Sequence, residues 1–134
     1  MRLAPSNVFK AGAVAWALSG APSTLIAAIR RDDLLGPSIA AGTLLPGRRD
    51  RPGFAAGIAA HTVVTAVWTP LVAAATARSR HPALAGALAG AAIAALDLGV
   101  IGRRYPAIAA LSQPPQWADH VAFGAIVGWL AARR

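Results

Sequence analysis

The chain has 134 residues, room for one domain, and 56 % of them are hydrophobic while 13 % are charged. A soluble domain carries about a quarter of its residues charged, so this shortage of charge and a mean hydropathy of +0.52 put the sequence in the membrane class. Its +8 net charge sits in short arginine clusters bounding apolar runs, which points away from nucleic acid and toward anionic lipid, and the lack of cysteine excludes disulfides, thiolate nucleophiles and Cys-ligated metal centres.

The first apolar segment, about Val8 to Ile29, follows Arg2 and includes Lys10, and its basic start resembles a signal peptide. It continues through Pro22 to Arg30 and Arg31, so it reads as a retained first span kinked near Gly20-Ala21-Pro22. Ser19, Ser23 and Thr24 can there satisfy backbone groups that Pro22 frees. After Asp32 and Asp33 comes Leu34 to Leu45, roughly 18 Å of helix against a hydrocarbon core of about 30 Å. It cannot cross alone; a connector on the headgroups and a re-entrant half-helix both remain open. The loop GRRDRPG, with Arg48, Arg49 and Arg51, closes this region.

Phe54 to about Ala77 is the second span, with Gly57, His61, Thr65 and Thr69 stacked along one face at i, i+4 spacing and bordered by Trp68. Pro70 is expected to bend it toward Arg78 and Arg80. A short RSRHP hinge, with His81 as a solvated loop residue, leads into the third span, Ala83 to Ile101, so these two spans form an antiparallel hairpin. In the third, Gly86 and Gly90 form a GxxxG extended by Ala94, and Asp97 follows on the same side. A carboxylate within such a run costs about 2.5 to 3.5 kcal/mol at mid-depth and calls for a partner. The connector RRYPAIAALSQPPQ is too polar and proline-broken to span, with Tyr105 and Trp117 expected at headgroup level. The last span runs from about Trp117 to Ala132. It holds a second GxxxG at Gly124 and Gly128, with His120 on that face and Asp119 rotated about 100° from it.

If each run crosses once, the second span begins on the side where the third ends and the fourth begins, here called side B. Counted inward at 1.5 Å per residue, His61, Asp97 and His120 then lie roughly 10, 7 and 4 Å deep in one leaflet. These groups, with Thr65, Trp68 and Asp119, are expected to converge into one polar pocket open toward Arg48, Arg49, Arg51, Arg103 and Arg104, which would contact headgroups or an anion. Such a cluster can be a structural hydrogen-bond network, a proton relay or a divalent-metal site. The network is preferred, because an Asp that accepts from His61, His120, Thr65 or Trp68 needs no ligand, and no metal-type local spacing is present. No metal or other cofactor is expected. Side A carries Arg2, Lys10, Arg78, Arg80, Arg133 and Arg134 against Arg30, Arg31 and the five pocket arginines on side B, so the positive-inside rule barely orients the chain. The Arg48 to Arg51 cluster favours side B as cytoplasmic.

There is no Gly-x-Ser-x-Gly, Walker loop or pair of catalytic carboxylates. The leading expectation is therefore a non-enzymatic helix bundle that assembles with itself or a membrane partner through its Gly-rich faces around the Asp/His cluster. A ligand, ion or proton-coupled transport unit using Asp97 is a second class, and a membrane enzyme acting on a lipid or quinone headgroup a third. Abundant Ala, Arg, Gly and Pro, with one Lys and no Glu, match a high-GC bacterial genome and hence a bacterial inner membrane. The stretch LDLGVIGRRYPAI followed by PQWADHVAFGAIVG resembles the second half of small, uncharacterised multi-pass membrane proteins of actinobacteria. That resemblance covers about the C-terminal third, and it implies no activity. The expected fold is all-α and polytopic, with four transmembrane helices at about 8–29, 54–77, 83–101 and 117–132 and a short helix at 34–45.

Overall fold

A computed structural model describes residues 4–133, all helix and connecting turns with no strand among them. Arg2 and Arg134, counted above on side A, lie outside the described residues. Helix α1 (Pro5–Leu18) starts on a proline, tolerated in a first turn because that N–H has no helical acceptor. It breaks at Ser19-Gly20, and α2 (Ala21–Arg30) resumes with Pro22 in its own first turn. Proline withholds the N–H that would continue the ladder, so the break falls where the sequence places it. At the end of α2 the Arg31 N–H bonds the Ala28 carbonyl at 3.3 Å and the Asp32 N–H bonds that of Ala27 at 2.9 Å. This Schellman turn puts Arg31 at φ 59°, in the left-handed region that favours glycine.

The short apolar segment forms α3 (Gly36–Ala41) and a 3-10 turn, Gly42–Leu44. Asp33 Oδ1 accepts the Leu35 N–H at 2.9 Å and fixes its entry. It lies against α4 (Phe54–Thr76) with backbones in near contact: a methyl at Gly57 would overlap the Ser38 carbonyl oxygen, and one at Gly42 would lie 2.6 Å from that of Gly53. Glycine is required at both positions by this approach. Helix α4 runs unbroken through Pro70, whose side is exposed.

Helix α5 (Pro82–Leu96) leads into a π turn over Asp97–Ile101 and a 3-10 turn over Gly102–Arg104, so the third span extends three residues beyond its expected end. The Gly102 N–H returns to the Asp97 carbonyl. Beyond it the connector carries helix in two places. Pro106–Ala109 forms a one-turn helix, α6, and α7 (Gln113–Ala131) begins four residues before Trp117. Pro114 and Pro115 occupy its first turn, where proline is compatible with helix, so they start the helix rather than break the chain.

Helices α5 and α7 pack antiparallel along a glycine seam. A methyl at Gly86 would overlap the Gly124 carbonyl oxygen, one at Gly90 that of His120, and one at Gly128 that of Pro82. Helix α1 lies on α7 and α4, with Ala11 and Ala15 fully buried beside Val72, Ala73, Phe123 and Val127. A smaller core of Ala40, Ala94, Leu98 and Ile108 joins α3, α5 and α6 at the other end. Large apolar side chains face outward: Phe9, Ile29 and Leu88 are 78 %, 74 % and 66 % exposed. Three helical stretches are long and apolar enough to cross a membrane, Pro5–Arg30, Phe54–Thr76 and Pro82–Arg104.

Candidate functional site: polar links between helices

Among the described residues, no three of His, Asp, Glu or Cys come close enough to share a metal ion. The polar side chains enter three links between helices, Asp97 with His120, Asp119 with Ser23 and His61 with Trp16, two of which start from neighbouring residues of α7.

His120 leans toward the start of α7 and Asp97 leans back toward the start of α5, as side chains on helices do. Because the helices are antiparallel these directions oppose, and the groups meet although the Gly90 backbone, not that of Asp97, touches His120. His120 Nε2 lies 3.6 Å from Asp97 Oδ2, with the two side chains 24 % and 21 % exposed. That is ion-pair range, too long for a hydrogen bond. The other ring nitrogen, Nδ1, donates to the Gln116 carbonyl at 2.8 Å. A carbonyl only accepts, so Nδ1 is a protonated nitrogen of the ring and Nε2 is the one that faces Asp97.

Asp119, one position earlier and turned away by the helical rotation, faces α2. Its Oδ1 accepts the Ser23 backbone N–H at 2.8 Å. Ser23 is the third residue of α2, and its N–H is one of the donors that a helix start leaves without an internal acceptor. Asp119 thus caps α2 from another helix, with a charge of the sign that a helix N-terminus favours. Ser23 Oγ donates to the Gly20 carbonyl at 3.2 Å. Of the three hydroxyls expected to repair the kink, Ser23 is placed to do so.

The third link joins α4 to the last turn of α1, just before the same break. His61 Nε2 donates to the Trp16 carbonyl at 3.1 Å, the Trp16 indole N–H donates to Thr62 Oγ1 at 3.1 Å, and the two rings lie tilted with centroids 5.9 Å apart. The rest of the α4 stripe is packing surface. Thr65 and Thr69 are buried, Thr69 against Gly12 of α1, and Trp68 packs on the main apolar core. Sequence reasoning missed Trp16 and Gly12, and it missed the π turn that begins at Asp97. A small residue recurs at Ala11, Ala15 and Ser19 along α1, a spacing that signals a close-packing face.

Gly86, Gly90, Gly124 and Gly128 meet each other within the chain, so the faces expected to mediate assembly are occupied by the α5–α7 seam. Arg49 Nε donates to the Arg104 carbonyl at 2.8 Å and joins the loop before α4 to the turn after α5. His81 lies exposed in its hinge, its N–H bonded to Ser79 Oγ at 3.1 Å. No known protein family matches this chain, and neither curated proteins nor solved structures provide a match.

Proposed function

We propose that the chain is a non-enzymatic, multi-pass protein of a bacterial inner membrane that crosses four times, its intramembrane polar groups serving to join helices. The observation that carries this is that Asp97, His120, Asp119 and His61 each reach a group on a different helix, while large apolar side chains face outward. Polar contacts of this kind hold helices together in lipid, where apolar surface alone supplies no preference for a neighbouring helix. The glycine seam supports a fourth crossing: α7 runs beside α5 from Gly128 at Pro82 to His120 at Gly90, and its 19 residues extend about 28 Å.

A second reading, proton-coupled transport, is favoured by one observation. The Asp97–His120 pair is within ion-pair range, is partly exposed and lies at a π turn, a feature frequent at functional sites. Asp97→Asn and His120→Gln distinguish the two. If the pair joins helices, each variant melts lower in detergent by about 0.6 kcal/mol, at most about 1.7, and the double variant loses little more than the worse single one. Solute or proton flux in proteoliposomes that disappears in an Asp97→Asn variant of unchanged stability would contradict the joining role.

A further inference from the structure

We infer that Arg48, Arg49 and Arg51 of the loop before α4, together with Arg103 and Arg104 of the turn after α5, form one binding site for the phosphate of an anionic phospholipid; the inference rests on the membrane reading above. Sequence alone separates these clusters by 55 positions, and the Arg49 bond to the Arg104 carbonyl closes that gap. The bond uses one N–H of Arg49 and a backbone oxygen of Arg104, which leaves the outer edge of the first guanidinium and the whole of the second available. The far end of the loop is fixed as well, through the Gly53 N–H and the Ile39 carbonyl at 3.1 Å. The arginines are therefore held on an anchored loop.

Charge is uncompensated here. Asp50 is the only carboxylate in the two segments, and the one ion pair among the described residues is His120 with Asp97. Arg48 is half-buried, its Nε shut off from solvent with no acceptor among the described residues. A methyl at Gly53 would lie 3.2 Å from its Nη2, so the guanidinium rests close over bare backbone. Forked guanidinium donors fit phosphate oxygens two at a time, which ammonium groups do not. A lipid phosphate is the fitting source because the site lies where α4 begins and the third crossing ends, beside Tyr105, a residue type that settles at headgroup level.

Native mass spectrometry of the detergent-solubilised full chain, titrated with phosphatidylglycerol and with phosphatidylcholine, reads this directly. The chain is expected to retain phosphatidylglycerol in preference. An Arg103→Gln, Arg104→Gln variant, in which only exposed side chains change, weakens that binding about thirty-fold, at about five-fold per arginine. Arg78→Gln, Arg80→Gln, the same charge loss at the opposite end, leaves it unchanged. No preference for phosphatidylglycerol, or an equal loss in the Arg78, Arg80 variant, would overturn the site. Displacement of the lipid by inorganic phosphate would overturn the lipid as its occupant. Alkaline carbonate washing separates the two levels of failure: a chain released from membranes refutes the membrane reading, whereas one that stays embedded without lipid preference refutes the site alone.

Discussion

Gly86→Ala is the sharpest perturbation of the fold, because its effect follows from backbone geometry. The added methyl would overlap the Gly124 carbonyl oxygen and lie 2.8 Å from the carbonyl carbon and 3.2 Å from Gly128 Cα. Ordinary carbon–oxygen contact is about 3.3 Å, so α5 and α7 must part by on the order of 1 Å. Neither obstacle is a side chain that can rotate away. Overpacking of this kind costs about 1 to 3 kcal/mol, and a backbone obstacle places Gly86→Ala at the upper end. Gly99→Ala is the matched control, since its methyl meets nothing within 4 Å and gains up to about 1 kcal/mol of helix propensity. At roughly 4 °C per kcal/mol for a chain of this size, thermal melts in detergent should separate the two variants by more than 10 °C. Gly124→Ala presses on Gly86 in return, so the double variant loses less than the sum of the singles, the separation having already occurred. Equal melting of the Gly86→Ala and Gly99→Ala proteins would refute the glycine seam.

Two further outcomes follow from the broken first helix. Asp119→Ala removes the acceptor of the Ser23 N–H and leaves that donor unanswered, so it destabilises by about 1 to 3 kcal/mol, and amide exchange at Ser23 and Thr24 accelerates while that of α5 is unchanged. Asp119→Asn keeps a carbonyl oxygen and loses less. Arg31→Gly relieves the left-handed conformation at the end of α2 and raises the melting temperature, with a gain of about 1 kcal/mol; a lower melting temperature would remove the argument for strain there.

How far these features were legible in the sequence differs from residue to residue. The position of the kink was visible, because proline announces it by lacking an N–H. His120 and Asp97 lie on the small-residue faces of their spans, so their meeting could be read from periodicity. The rotation of Asp119 away from that face was equally visible, but its target was not: a backbone N–H is common to nearly every residue and gains meaning only at a helix break. The partner of His61 was hidden for the same reason, since the Trp16 carbonyl accepts it where α1 ends. Gly57 was read as part of a polar stripe because its neighbours at i+4 are polar, yet its contact is the backbone of α3, which no side-chain pattern records. The start of α7 was misplaced because Pro114 and Pro115 break a helix interior and begin a helix equally well, and only the structure shows which. The glycine pairs were legible as packing faces, while the choice between a partner chain and the same chain depended on the antiparallel return of α7.

The central claim, four crossings with both ends of the chain on one side, is tested most directly by labelling. The chain has no cysteine, so single cysteines at Ser6 in the first turn of α1 and at Asp50, Ser79 and Ser112 between helices, all exposed, report without background. In sealed membrane vesicles of either orientation, a membrane-impermeant maleimide should label Ser6→Cys and Ser79→Cys from one side and Asp50→Cys and Ser112→Cys from the other. Labelling of Ser79→Cys and Ser112→Cys from the same side would contradict the crossing of α5 and with it the account.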